Sequence, residues 1–169
     1  MRQAMVQAIG DAAQASGGRP VPAENLHVTL AFLGSVPPRR QPELAAAARD
    51  SALEPAAIPL ELRFDRLELW RRAQLLCASP AQLPAWTAVI AGRLQARLAA
   101  GGFAPDLKPF RPHVTVARKV ARADAPGAMP AVLGRFTELV LVESRTLPAG
   151  PLYSVVESFP LCRDQKERK

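Results

Sequence analysis

Apolar residues recur along this chain with two periods, and the alternation between them marks out the elements. Residues 2–16 carry Met5, Ile9 and Ala12 or Ala13 at helical spacing, and Ser16-Gly17-Gly18 stops that helix. "RPVPAEN" reads as a loop, and residues 26–33 alternate as a strand until "PPRRQP" breaks it. "ELAAAARDSAL" is a short helix of high intrinsic propensity. Ile58, Leu60, Leu62 and Phe64 alternate with Pro59, Glu61, Arg63 and Asp65, a half-buried strand. "RLELW" and "QLLCAS" predict further strands around an Arg71-Arg72 turn. "LPAWTAVIAGRLQARLAAGG" predicts a helix with Trp86, Val89, Ile90, Arg93, Leu94, Arg97 and Leu98 at helical spacing, ended by Gly101-Gly102. The proline-broken loop "FAPDLKPFRP" leads into a further strand that begins at His113. The loop "ADAPGAMP" precedes two closing strands, "RFTELVLVES" and "LYSVVESFPL".

The order repeats weakly: a strand with a neighbouring helix in each half, followed by hairpin-like strands. This predicts an α+β fold with largely antiparallel sheets. No Gly/Ser linker separates the halves, so residues 1–169 are expected to form one two-lobed domain. A chain of 169 residues, 49% of them apolar, can bury a sizeable core. It has no stretch of about 18 uncharged apolar residues and no signal-peptide pattern, so no membrane partner is expected. Two cysteines, Cys77 and Cys162, do not make a disulfide framework, and a reducing cytoplasm is the expected compartment. The net charge of +7 favours anionic partners, although an Arg-rich composition accounts for it equally well. With aromatic residues at only 5%, an extended base-stacking surface is not expected.

The chain has two histidines, His27 and His113, and each opens the same tetrapeptide, His-Val-Thr-aliphatic, in "NLHVTLAFLG" and "RPHVTVARK". From average residue usage, the coincidence is of order one in a million. Alternation puts His27 and Thr29 on one face of their strand, and His113 and Thr115 on one face of theirs. If the halves are related by approximate two-fold symmetry, those faces confront each other across a groove holding two imidazoles and two hydroxyls. Such a set suits a phosphate ester. One imidazole takes a proton from the attacking water or hydroxyl and the other gives one to the leaving oxygen. The hydroxyls donate to the non-bridging oxygens.

These motifs, in the wider stretches "RPVPAENLHVTLAFLGSV", "KPFRPHVTVAR" and "LVESRTLPAGPLYSVVESFPL", resemble the two-histidine phosphoesterase superfamily over nearly the whole chain. More closely, they resemble its bacterial LigT-type branch, RNA 2',3'-cyclic phosphodiesterases historically named 2'-5' RNA ligases. The resemblance implies two pseudo-symmetric lobes, each with helices on the outer face of its sheet and with the active-site groove between them. It implies hydrolysis of RNA 2',3'-cyclic phosphate ends, or of small cyclic nucleotides, to 2'-phosphates, with 2'-5' joining as a related activity. His27 becomes the proton donor to the leaving 3' oxygen and His113 the base that activates water. Thr29 and Thr115 hold the phosphate. No metal and no cofactor is implied, and a monomer is expected. Arg118 sits at an odd offset from His113, so it reaches the anion only through a bulge or at the strand's end; otherwise it is a solvated arginine. Phe110 is either a stacking residue or part of the core. The branch normally begins with a strand before the first helix, and this chain starts inside that helix; either its start is placed too late, in which case a longer N-terminus is expected, or the strand is missing and leaves an unpaired edge.

Two other classes fit less well: an RNA-binding or tRNA-processing module of the same fold with little turnover, and a two-histidine metal site. The second has no cysteine or carboxylate in a recognised ligand pattern.

Overall fold

The computed structural model describes residues 1–53, 60–104, 109–121, 127–147 and 150–161. Helix α1, Arg2–Ala15, buries Met5, Ile9 and Ala13, one residue per turn along a single stripe. The Ser16 hydroxyl closes it, donating to the Ala13 carbonyl at 2.6 Å and accepting from the Gly18 N–H at 3.2 Å. Strand β1 is only Arg19–Pro20. Two 3-10 turns, Ala23–Asn25 and Pro38–Arg40, precede helix α2, Gln41–Leu53. Then come β2, Leu60–Trp70; β3, Leu75–Ser79; helix α3, Ala85–Ala100; and β4, Val114–Arg118. Strands β5, Ala128–Phe136, β6, Glu138–Leu147, and β7, Gly150–Pro160, finish the described chain.

The architecture is α+β, as expected. Five strands form one sheet in the order β1-β4-β3-β2-β5, with the β1/β4, β4/β3 and β3/β2 pairs antiparallel. Strands β6 and β7 form an antiparallel ribbon. The backbone divides into two compact units. One comprises residues 1–29, 61–84 and 111–135; the other comprises residues 30–60, 85–110 and 136–169. The second unit is centred on Leu44, Ala48, Leu60, Leu94, Leu98, Leu139 and Phe159, with Leu30, Leu33 and Trp86 packed against them.

Four expectations need revision. Residues 26–33 do not form a regular strand: Val28 alone bridges, to Val114, because the chain leaves the first unit after Thr29. "RLELW" is not a separate strand but the end of β2. Burial in β2 changes phase, from Leu60, Leu62 and Phe64 to Leu67. On α3 the buried stripe runs Thr87, Ile90, Ala91, Leu94 and Leu98, leaving Val89 exposed. Strand β5 begins where a loop was expected. Pro130 and Gly134 disguise it, and its burial slips phase at Pro130 and Ala131, both exposed. Ile58, Pro59, most of "ADAPGAMP" before Gly127, and Cys162 lie outside the described residues.

Candidate active site

Strand β4 is the centre of the site. Val114, Val116 and Ala117 are buried within the first unit, which fixes the strand and turns the intervening side chains outward. The antiparallel bridge between Val28 and Val114 joins the first motif to the second. His27 and Thr29 flank the bridge on one side, and His113 and Thr115 flank it on the other. All four residues belong to the first unit. His27 and Thr29 are exposed; His113 and Thr115 are half-buried.

Both rings are tethered alike. His27 Nδ1 lies 2.7 Å from the Asn25 carbonyl, and His113 Nδ1 lies 2.8 Å from the Arg111 carbonyl. A carbonyl oxygen only accepts, so Nδ1 carries the proton in each case. In the neutral ring the basic lone pair is then on Nε2.

The bulge on which Arg118 depends is present. The β3/β4 register passes from Cys77 opposite Thr115 to Leu76 opposite Ala117, which makes Val116 an extra residue. Arg118 then pairs with Leu75, which shares a face with Cys77. Arg118 is thereby brought to the face that bears Thr115, and it is half-buried there. Phe110 is also half-buried.

The model of the family LigT-like phosphoesterase matches residues 3–75, a span that includes the first motif. An RNA 2',3'-cyclic phosphodiesterase of Thermus thermophilus is 29% identical over 95% of this chain and 84% of its own length. One from Escherichia coli K12 is 33% identical over 63% of this chain and 58% of its own length. The crystal structure of E. coli LigT complexed with 3'-AMP superposes with a TM-score of 0.80 at 25% identity, covering 96% of this chain and 91% of that one. The chain belongs to the LigT-like phosphoesterases.

In this phosphoesterase the second histidine has neighbours that sequence patterns did not single out. The Trp70 and His113 rings have centroids 4.3 Å apart and planes inclined at 46°. The Trp70 indole N–H donates to Glu68 Oε2 at 3.1 Å, and Arg111 Nη2 donates to the same oxygen at 3.1 Å. The Arg111 guanidinium carbon lies 5.3 Å from the Trp70 ring centroid. In a single sequence Glu68 and Trp70 are ordinary strand residues; only the folded register brings them to the second motif.

Cys77 lies between Glu68 and Thr115 in the sheet, as the cross-strand partner of both. Its Sγ is 4.0 Å from Thr115 Oγ1. Burial pushes the thiol up to about 11, against a partial offset from the Thr115 hydroxyl. Among the described residues, no three His, Cys, Asp or Glu side chains are grouped as metal ligands would be. None of the described helices is long and apolar enough to cross a membrane.

Proposed function

We propose that this phosphoesterase hydrolyses RNA 2',3'-cyclic phosphate ends, or small 2',3'-cyclic nucleotides, to 2'-phosphates by histidine acid–base catalysis without a metal. The observation that carries the reading is the Val28–Val114 bridge, which joins the segments that bear the two His-Val-Thr motifs. The names of the Thermus and E. coli relatives support the substrate class, as does the 3'-AMP complex of E. coli LigT.

The chemistry follows from two imidazoles with a phosphorus between them. Water attacks phosphorus as His113 Nε2 takes its proton. The P–O3' bond breaks in line, and the leaving 3' oxygen takes a proton from Nε2 of protonated His27. The assignment of acid to His27 and base to His113 comes from the family resemblance, since the two tethers are alike. Thr29 and Thr115 donate to the non-bridging oxygens, where charge builds during attack. Arg118, on the Thr115 face, adds a fixed positive charge there. The same step with a 5'-hydroxyl in place of water forms the P–O5' bond as P–O3' breaks, which gives 2'-5' joining.

The test is turnover of 2',3'-cyclic AMP and of an oligonucleotide ending in a cyclic phosphate, with the products resolved as 2'- or 3'-phosphates and a chelator present or absent. His27→Ala and His113→Ala should each lower the rate by about 10²–10⁴-fold. The double variant should fall well short of the product of the two losses, because the histidines act on one transition state. A folded single variant that keeps more than about a tenth of the wild-type rate would remove that residue from the mechanism. Loss of activity to the chelator, restored by added metal, would refute the metal-free reading.

A further inference from the structure

We propose that Glu68 is a positioning residue for His113, acting through Trp70 and Arg111 to hold the imidazole in one tautomer and one rotamer. The inference rests on the reading of His113 as the base. The contacts form a closed loop. The Arg111 carbonyl accepts from His113 Nδ1 at 2.8 Å, and the guanidinium of that same Arg111 donates to Glu68 Oε2 at 3.1 Å. Glu68 Oε2 also accepts the Trp70 indole N–H at 3.1 Å, and the Trp70 ring flanks the His113 ring at 4.3 Å. One carboxylate oxygen therefore fixes both groups that fix the ring.

Stability alone is a poor reason for this arrangement. The Arg111 side chain is 66% exposed and that of Glu68 31% exposed. An ion pair of that kind contributes little to folding in water. Its geometric effect is larger. An imidazole tethered at Nδ1 alone still swings about that bond, whereas a flanking indole confines the plane of the ring and with it the direction of Nε2. The indole itself stays in place because its N–H is committed to Glu68. A carboxylate suits the position better than an amide because it also answers the Arg111 charge, whereas an amide oxygen would accept both N–H groups without doing so.

The experiment pairs kinetics with long-range ¹H–¹⁵N spectra of the histidine rings in the full chain. The two histidines are told apart with a His27→Ala sample. In the wild type, neutral His113 should be the Nδ1–H tautomer. Glu68→Ala should admit a fraction of the Nε2–H form and lower kcat on the order of tenfold with KM little changed, as misorientation of a reacting group does. Trp70→Phe, which keeps an aromatic face but has no N–H for Glu68, should show a smaller change in the same direction. Glu68→Gln, which still accepts, should lie nearest the wild type. A folded Glu68→Ala protein with unchanged tautomer and kcat would overturn the proposal. So would a change confined to KM, which would make Glu68 a substrate contact. If Glu68→Ala fails to fold, Trp70→Phe decides by the same two readouts. If the wild-type chain does not hydrolyse cyclic phosphates, the proposed function fails, while the tautomer spectra still decide whether Glu68 orients the ring.

Discussion

Gly18 couples the end of α1 to the active-site strand, and its replacement by alanine is a sharp test of that coupling. A Cβ built on Gly18 would lie 2.6 Å from Val120 Cγ2 and 2.7 Å from the Arg118 carbonyl oxygen. Val120 is 1% exposed and cannot swing into solvent, and the carbonyl is backbone. Either Val120 repacks or β1 moves away from β4, where Arg19 pairs with Arg118. Overpacking of this kind costs about 1–3 kcal/mol. At about 2–4 °C per kcal/mol for a chain of this size, Gly18→Ala should melt roughly 2–12 °C below the wild type. The adjacent Gly17 is the control. Its φ is +65°, and a Cβ there meets nothing within 4 Å. Gly17→Ala should be destabilised by backbone strain alone, about 1–2 kcal/mol, and Gly17→Asn should recover much of that because asparagine tolerates the left-handed region. Gly18→Asn should be no better than Gly18→Ala. Thermal melts followed by circular dichroism, with cyclic-phosphate turnover on the same samples, separate the two causes. Gly18→Ala should lose kcat/KM because the end of β4 shifts, whereas Gly17→Ala should keep it. A Gly18→Ala protein that melts within about 1 °C of the wild type would refute the close approach of β1 and β4.

Two further outcomes follow from the site. Arg118→Ala should lower kcat/KM by about 10–100-fold, the loss of a charge-assisted contact of about 1.5–3 kcal/mol, while Arg19→Ala on the neighbouring strand should change it far less; equal losses would mean a diffuse field and no specific contact. Cys77, read in a Cys162→Ser background, should react with a thiol reagent far more slowly than a free cysteine at pH 8, because its folded value of about 11 lies above the ordinary 9.0. That raised value means the unfolded chain releases the proton first. The contribution to stability is therefore full below about pH 9 and declines as pH rises towards 11, by about 2–3 kcal/mol in all. A Cys77→Ala protein with the same alkaline decline would assign the loss to another group.

The candidate site was legible where chemistry repeats, and illegible where chain topology decides. Two tetrapeptides of one pattern, His-Val-Thr-aliphatic, at the only two histidines carried His27, Thr29, His113 and Thr115, because period-two alternation needs no tertiary knowledge to put a histidine and a threonine on one face. The joining of the two motifs was not in that pattern. Period-two alternation acts within a strand and does not say which strands meet, so the Val28–Val114 bridge had to be seen in the fold. Arg118 shows the same limit from the other side. Its odd offset required a bulge, and a bulge has no reliable sequence mark when the extra residue, Val116, is as apolar as its neighbours. Strand β5 was missed because Pro130 and Gly134 are read locally as breakers, although an outermost strand tolerates both. Glu68 and Trp70 were invisible for a deeper reason. Their role depends on a phase change within β2 between Phe64 and Leu67, after which Glu68 lines up with Cys77 and, through it, with Thr115. Without that change the period set by Leu60 and Phe64 would have turned Glu68 and Trp70 to the buried face, and His113 would have had no indole beside it. The irregularities in β2 and β4 are thus what bring an arginine, a carboxylate and an indole to a face that the motifs supply only with imidazoles and hydroxyls.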